Sequence, residues 1–198
     1  LLAALVLASV GGMFRIDELR QLRRVSTPEF VIAMVTILAV LGVGILKGVL
    51  VAGGYRADEI TIEPMGDTAF LIARYPGTDP KKKPIVISGH MDVVEANPSD
   101  WTRDPFTPVE ENGYVFGRGV VDNKFDVSMV VTTLAKLRRE GWKPGREVIL
   151  ALSGDEETLM RTTAVLAQRL KGAELVLNTD GGRGPLNEDG KAVAFGIQ

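Results

Sequence analysis

The pattern of apolar and polar residues divides the chain into two parts. Residues 1–54 are strongly apolar and contain an uncharged run from Phe30 to Leu46. A membrane-spanning helix needs about 20 apolar residues, with a range of about 17 to 25. The run reaches that length if Lys47 extends its amine to the membrane surface. The pattern therefore predicts an apolar, transmembrane helical segment over residues 30–52, ahead of a soluble domain over residues 55–198.

Three interpretations of the apolar part compete. A transmembrane hairpin would place the arginines of residues 15–24 in a short cytoplasmic loop. If translation starts at Met13, residues 30–52 would be a signal anchor or a signal peptide. The apolar core of a cleaved signal peptide is usually about 7 to 15 residues long, so this run is long for one. A buried helix of a soluble domain is disfavoured, because such a helix normally shows a polar face.

The soluble part alternates between strand and helix patterns. Continuous apolar runs in IVIS (85–88), EVILALSG and ELVLNTD predict strands buried on both faces, and KAVAFGIQ (191–198) begins a fourth. A helix is expected over residues 124–140, where apolar residues recur at helical spacing, and a shorter helix is expected over residues 160–171, ended by Gly172. Strands that alternate with helices predict an α/β fold with a mainly parallel central sheet flanked by helices.

Shorter strands precede and interrupt this pattern. ADEITIEPMG and TAFLIARYPG read as two strands closed by turns, and GYVFGRG reads as a strand or hairpin within a long excursion.

Composition narrows the function classes. The net charge of −2, with 24% charged residues, gives no electrostatic reason to expect nucleic acid as a partner. The sequence contains no cysteine, so disulfides and thiolate metal sites are excluded. Any transition metal bound through nitrogen must use His90, because it is the single histidine.

Carboxylates follow each predicted strand. His90 and Asp92 end the first strand, residues 155–157 follow the second, and Asp180 ends the third, while Asp122 precedes a helix. Ligands bind beyond the carboxyl ends of parallel strands, so we expect these groups at one edge of the sheet. One imidazole with several carboxylates suits zinc, manganese or cobalt.

The residue types also suggest separate roles in metal binding and proton transfer. Asp92 could accept the second ring N–H of His90, as carboxylates often do behind a metal-bound histidine. Of Glu156 and Glu157, one could bind metal while the other moves protons. Each of these short motifs alone is more often a turn or a helix cap than a metal site. GRGVVDNK is glycine-rich, but it lacks the GK[ST] ending of a phosphate-binding loop, so that alternative is rejected. The combination at successive strand ends is what favours a metal site.

The ordered motifs SGHMDVV, GRGVVDNK, SGDEET and NTDGG resemble one di-zinc metallopeptidase family. Its members include aminoacylase, carboxypeptidase G, carnosinase-type dipeptidases and succinyl-diaminopimelate desuccinylase. The resemblance covers about residues 53–198. It implies hydrolysis of amide bonds in dipeptides, C-terminal residues or N-acyl amino acids by a metal-activated water.

The resemblance also implies residue roles. His90 and Asp180 would bind the first zinc, Asp122 would bridge both metals and Glu157 would bind the second. Of the catalytic pair, Asp92 would orient the histidine and Glu156 would be the general base. A cis peptide would follow the bridging aspartate, and Co²⁺ or Mn²⁺ could replace Zn²⁺.

The sequence departs from the family pattern in two respects. The family's second zinc takes a histidine from far along the chain, and a smaller lid and dimerisation domain follows this region. Neither is in this sequence. We therefore expect the chain to be the N-terminal part of a catalytic domain that binds one zinc at best, exposes apolar surface at an unclosed sheet and is inactive alone.

Residues 10–52, including LRQLRRVSTPEF, resemble the last membrane helices of the sulfate permease family of anion transporters. One alternative is thus a membrane anion-transporter fragment fused to a peptidase fragment, and another is a membrane-anchored peptidase. The chain is expected at a membrane if residues 1–54 are genuine, and otherwise as a soluble cytoplasmic or periplasmic protein.

Overall fold

The computed structural model describes residues 45–180, 187, 189 and 191. Most of the predicted membrane segment and almost all of the predicted fourth strand therefore lie outside the described residues. The chain divides after Ala52, and of the first unit one helix is described, α1 (Ile45–Ala52). Within the described ranges, no helix is both long enough and apolar enough to cross a membrane.

The second unit is built on a five-stranded sheet. Its elements, in chain order, are β1 (Ile60–Met65), β2 (Thr68–Tyr75), β3 (Ile85–His90), β4 (Val109–Glu111), β5 (Tyr114–Phe116), α2 (Phe125–Arg139), β6 (Val148–Ser153), α3 (Arg161–Arg169) and β7 (Leu175–Asn178). The sheet order is β1-β2-β6-β3-β7, and β4 and β5 form a separate two-stranded hairpin. The helices predicted for residues 124–140 and 160–171 are present as α2 and α3, and the strand or hairpin predicted around GYVFGRG is the β4–β5 hairpin.

The sheet is mixed, which corrects the prediction of a mainly parallel one. β3 pairs in parallel with β6 and β7, but β2 pairs antiparallel with both β1 and β6. The tight turn between β1 and β2 explains part of the difference. Gly66 has a φ of +67°, and a turn this short can join only antiparallel neighbours. The fold is thus α/β, with a mixed sheet flanked by helices.

The two faces of the sheet bury different helices. On one face α3 packs through Leu166 against Phe70, Val86 and Ile149, all nearly inaccessible to solvent. On the other face α2 buries its own apolar positions, Val127, Val131, Leu134 and Ala135. β6 is buried along its whole length. The core therefore lies on both sides of β6 and β3, and the ends of these strands carry the site.

β7 differs from its prediction as a buried strand. Leu175, Val176 and Leu177 are 48%, 56% and 49% exposed. Among the described strands β7 occupies the edge of the sheet, with β3 as its neighbour. An apolar run predicts burial from composition alone and carries no information on how many neighbours the strand has.

Candidate metal centre

His90 ends β3 and is 1% exposed. The residue before it must be small. A Cβ on Gly89 would lie 2.8 Å from Thr179 Oγ1 and 3.2 Å from a methyl group of Val127. Glycine at this position therefore lets the end of β3 pack closely against α2 and the segment after β7, which fixes the position of the imidazole.

Two carboxylates face the imidazole. His90 Nε2 lies 2.9 Å from Asp122 Oδ1 and 3.9 Å from Asp180 Oδ2. One ligand atom from each of the three residues lies within 4.8 Å of the others. In the described part of the chain, this is the one group of three or more metal-binding side chains.

The donor set fits a catalytic zinc. Zinc in enzymes commonly takes three protein ligands from histidine and carboxylate, and leaves one position for water or substrate. The side chains of Asp122 and Asp180 are 42% and 32% exposed, so the group is open on one side. The imidazole is buried behind them, where it would hold the ion against the sheet.

An irregular segment delivers Asp122. Gly119 has a φ of +80°, a conformation that favours glycine, and begins the segment Val120–Lys124 ahead of α2. The peptide bond between Asp122 and Asn123 is cis, as the family resemblance implies. Asn123, the residue after Asp122, is fully buried.

The other ring nitrogen of His90, Nδ1, faces Asp92. It lies closer to the backbone oxygen of Asp92 than to the carboxylate. His90 Nδ1 lies 3.2 Å from the backbone oxygen of Asp92 and 3.4 Å from Oδ1. The Asp92 carboxylate instead accepts the backbone N–H groups of Glu156 at 3.1 Å and Glu157 at 2.9 Å. Asp92 therefore orients the imidazole and also holds the loop after β6.

The charges around the site shift two pKa values. Burial opposes protonation of His90, but its hydrogen bond to Asp122 and the nearby charges of Asp92, Glu156 and Asp180 outweigh burial and raise its pKa. Burial raises the pKa of Glu156, the positive charge of His90 opposes the rise, and Asp180, Glu157 and Asp92 add to it. A raised pKa makes the Glu156 carboxylate a better proton acceptor than an ordinary glutamate.

Glu157 lies next to this site without belonging to the three-residue group. Its described contact there is the backbone N–H that donates to Asp92. The structure thus brings His90, Asp122 and Asp180 together, and places Asp92 and Glu156 beside them.

Asp155 supports the site in a way that sequence reasoning missed. Its buried carboxylate accepts the backbone N–H groups of Thr162 at 2.9 Å and Arg161 at 3.1 Å, the Arg161 Nε–H at 2.9 Å and the Thr162 hydroxyl. Burial opposes ionisation, but these donors lower the pKa of Asp155 to about 2. The carboxylate thus holds the first turn of α3 and the loop that carries Glu156. The sequence signal for these contacts was an aspartate six residues before Arg161 and seven before Thr162, at the start of a predicted helix.

Comparison with known proteins finds relatives among peptidases and amide hydrolases. The sequence model described as peptidase family M20/M25/M40 matches residues 86–196. An N-fatty-acyl-amino acid synthase/hydrolase of Mus musculus is 38% identical over 81 residues, which cover 41% of this chain and 16% of that protein. A succinyl-diaminopimelate desuccinylase of Bordetella petrii is 36% identical over 107 residues, which cover 52% of this chain and 26% of that protein.

The fold is also found in a solved structure. Human carnosine dipeptidase 1 superposes with a TM-score of 0.58 at 22% identity, over 79% of this chain and 34% of that one. The matched part of the chain spans only 16% and 26% of the lengths of the two curated relatives. The family match covers more than half of the chain and includes the ends of β3, β6 and β7. The chain therefore belongs to peptidase family M20/M25/M40.

Proposed function

We propose that this site hydrolyses amide bonds of small substrates, namely dipeptides, C-terminal residues or N-acyl amino acids, with a water activated by zinc. The observation that carries the proposal is the position of His90 Nε2, 2.9 Å from Asp122 and 3.9 Å from Asp180. Two relatives, the N-fatty-acyl-amino acid synthase/hydrolase and the succinyl-diaminopimelate desuccinylase, bear names that support the same class of bond.

The ligands of the first metal are His90, Asp122 and Asp180. A bound zinc ion would lower the pKa of the attacking water and polarise the scissile carbonyl. His90 supplies a neutral imidazole nitrogen from a buried position, and its orientation is fixed by the Asp92 backbone oxygen. The two aspartates supply the negative charge that the ion requires.

Glu156 is the general base. Its raised pKa makes it an acceptor for the proton of the attacking water and then a donor of that proton to the leaving amine nitrogen. The contact between its backbone N–H and Asp92 holds Glu156 relative to His90. Asp92 is therefore a positioning residue for both groups.

A second metal would use Asp122 as the bridging ligand and Glu157 as its own. Zinc favours nitrogen and sulfur donors, and two carboxylates make a weak site for it. We accordingly expect this chain to hold one zinc tightly, with Co²⁺ or Mn²⁺ as possible substitutes.

Membrane attachment through residues 30–52, whether as an anchor or as a sulfate-permease-like segment, stays a prediction. It is tested by expressing the chain with and without residues 1–54 and comparing the fraction that sediments with membranes. A sedimenting full chain and a released shorter chain would support an anchor. Equal release would argue against one.

The hydrolase proposal is tested in protein expressed from the complete reading frame that encodes this chain. Zinc-loaded wild type and Glu156→Gln are compared on an N-acetyl amino acid and on a dipeptide. Because the variant cannot move the proton, we expect kcat to fall by roughly 10² to 10⁴-fold while zinc content stays the same. Full activity in Glu156→Gln would overturn the assignment of the base, and hydrolysis of neither substrate by the wild type would overturn the function.

A further inference from the structure

The hydroxyl of Thr179 lies where three segments of the candidate metal centre meet. Thr179 follows β7 and donates twice to the backbone oxygen of Ser88, from its N–H at 2.9 Å and from its hydroxyl at 3.0 Å. The first contact continues the pairing of β7 with β3 beyond Asn178. The second contact brings the hydroxyl against the end of β3.

Gly89 is the second neighbour of this hydroxyl. A Cβ on Gly89 would lie 2.8 Å from Thr179 Oγ1, which is closer than real Cβ contacts come. Glycine at this position therefore leaves room for the hydroxyl directly beside the backbone that leads into His90. The hydroxyl and the glycine fit each other in this structure.

Asn123 is the third neighbour. Its Oδ1 lies 3.5 Å from Thr179 Oγ1, at the outer limit for a hydrogen bond. The Asn123 side chain is fully buried, and its Nδ2 has no hydrogen-bond partner in the described part of the chain. Because a buried amide without partners is costly, the contact with Thr179 is one that the segment around Asn123 cannot exchange freely for water.

Each of the three proposed metal ligands is joined by one peptide bond to a residue at this hydroxyl. The pairs are Gly89–His90, Asp122–Asn123 and Thr179–Asp180. We propose that the Thr179 hydroxyl is a positioning group that sets the spacing of all three ligands. The inference rests on the proposed function, because it presupposes the zinc site, and it adds a residue that is not itself a ligand.

Loss of the hydroxyl should affect metal binding more than folding. Without it, Ser88 keeps the N–H of Thr179, so β7 stays paired with β3. Asn123 loses its neighbour, and the segments that carry Asp122 and Asp180 lose their common contact. Zinc binds its nitrogen and oxygen ligands at about 2.0 to 2.2 Å, so small shifts of the ligands weaken the site.

Three substitutions of Thr179 separate the hydroxyl from the rest of the side chain. Thr179→Val removes the hydroxyl and keeps the branched shape, whereas Thr179→Ser keeps the hydroxyl and removes the methyl group. Thr179→Ala removes both and adds no methyl group against Gly89, so it serves if the valine variant does not fold. Thr163→Val is the matched control on α3, since the Thr163 hydroxyl is buried and has no partner among the described residues.

The test measures the zinc affinity of the full 198-residue chain by competition with a fluorescent chelator. We expect Thr179→Val and Thr179→Ala to bind zinc roughly 10- to 100-fold more weakly, as when other groups that orient metal ligands are removed. Thr179→Ser should bind close to wild type, and Thr163→Val should be unchanged. Circular dichroism of the zinc-free proteins confirms that they are folded. An equal loss in Thr179→Ser would show that the methyl group matters rather than the hydroxyl, and would overturn the proposal.

The visible absorption of the Co²⁺-loaded proteins gives a second readout, because it reports the arrangement of ligands rather than overall stability. We expect an altered spectrum in Thr179→Val and the wild-type spectrum in Thr179→Ser. Wild-type protein that binds no zinc would overturn the proposed metal centre and this inference with it. Wild-type zinc affinity in both Thr179→Val and Thr179→Ala would keep the proposed function and overturn only the role of Thr179.

Discussion

The carboxylate of Asp92 accepts the backbone N–H of Glu156 at 3.1 Å, which links the end of β3 to the loop after β6. The same carboxylate accepts the next N–H, and the Asp92 backbone oxygen faces the imidazole of His90. One residue thus links His90, the proposed metal ligand, to Glu156, the proposed general base. The Asp92 carboxylate accepts from the loop after β6, whereas the nearest Asp92 atom to the imidazole is the backbone oxygen.

Replacing Asp92 with asparagine should disturb both sides of this link. An amide offers one acceptor oxygen and places an NH₂ group against the second backbone N–H. We expect zinc affinity to fall roughly 10- to 100-fold, as for other groups that orient metal ligands, measured by isothermal titration calorimetry. Asp100→Asn, an exposed acid of the loop after β3, is the control. Unchanged affinity in Asp92→Asn would refute the positioning role.

Asp155 is expected to contribute to stability rather than to chemistry. Asp155→Asn weakens a buried carboxylate bound by four donors, and hydrogen bonds to charged groups contribute about 1.5 to 3 kcal/mol each. We expect the free energy of unfolding to fall by about 2 to 3 kcal/mol overall, since the amide keeps part of the network. Urea denaturation measures the change.

Asp67 offers the matched control for Asp155, because both carboxylates bind Arg161. The Asp67 side chain is 85% exposed, and surface ion pairs contribute little to stability. Asp67→Asn should leave the urea midpoint unchanged. Equal losses in the two variants would show that the Arg161 contact, rather than the buried network, carries the effect.

The pKa of Asp155 predicts a contribution to acid unfolding. An unfolded aspartate has a pKa of about 3.9, and the folded pKa is lowered to about 2. The stabilisation is therefore fully present above about pH 4 and is lost as the pH falls toward 2. Stability measured between pH 5 and about 2 should fall more steeply in wild type than in Asp155→Asn. Parallel curves would contradict the assignment.

The exposed strand β7 predicts self-association. Leu175, Val176 and Leu177 present apolar side chains at an edge of the described sheet, and such edges pair with other chains. Leu177→Lys should reduce aggregation, measured by light scattering, while changing stability by less than about 0.5 kcal/mol as for other surface substitutions. A large loss of stability in this variant would show that Leu177 is packed in solution.

The sequence predicted the parts of the site that depend on strand polarity. His90 ends β3 and Asp180 follows β7 by two residues, so the apolar runs before them predicted that both groups lie at the same edge of the sheet. The antiparallel pairing of β2 with β6 was not predictable, because no short turn joins these strands and nothing local specifies which neighbours pair. The Asp92 and Asp155 contacts to backbone N–H groups were missed for a related reason. They depend on loop conformation, including the positive φ of Met160.

His90, Asp122 and Asp180 are proposed to form one zinc site. The most direct measurement is the zinc content of purified wild type, His90→Ala and Glu157→Ala after dialysis against a weak chelator, by atomic emission. We predict about one zinc per chain in wild type, in keeping with a single three-ligand group, almost none in His90→Ala and wild-type content in Glu157→Ala. Zinc retained by His90→Ala, or two tightly held zincs in wild type, would contradict the account.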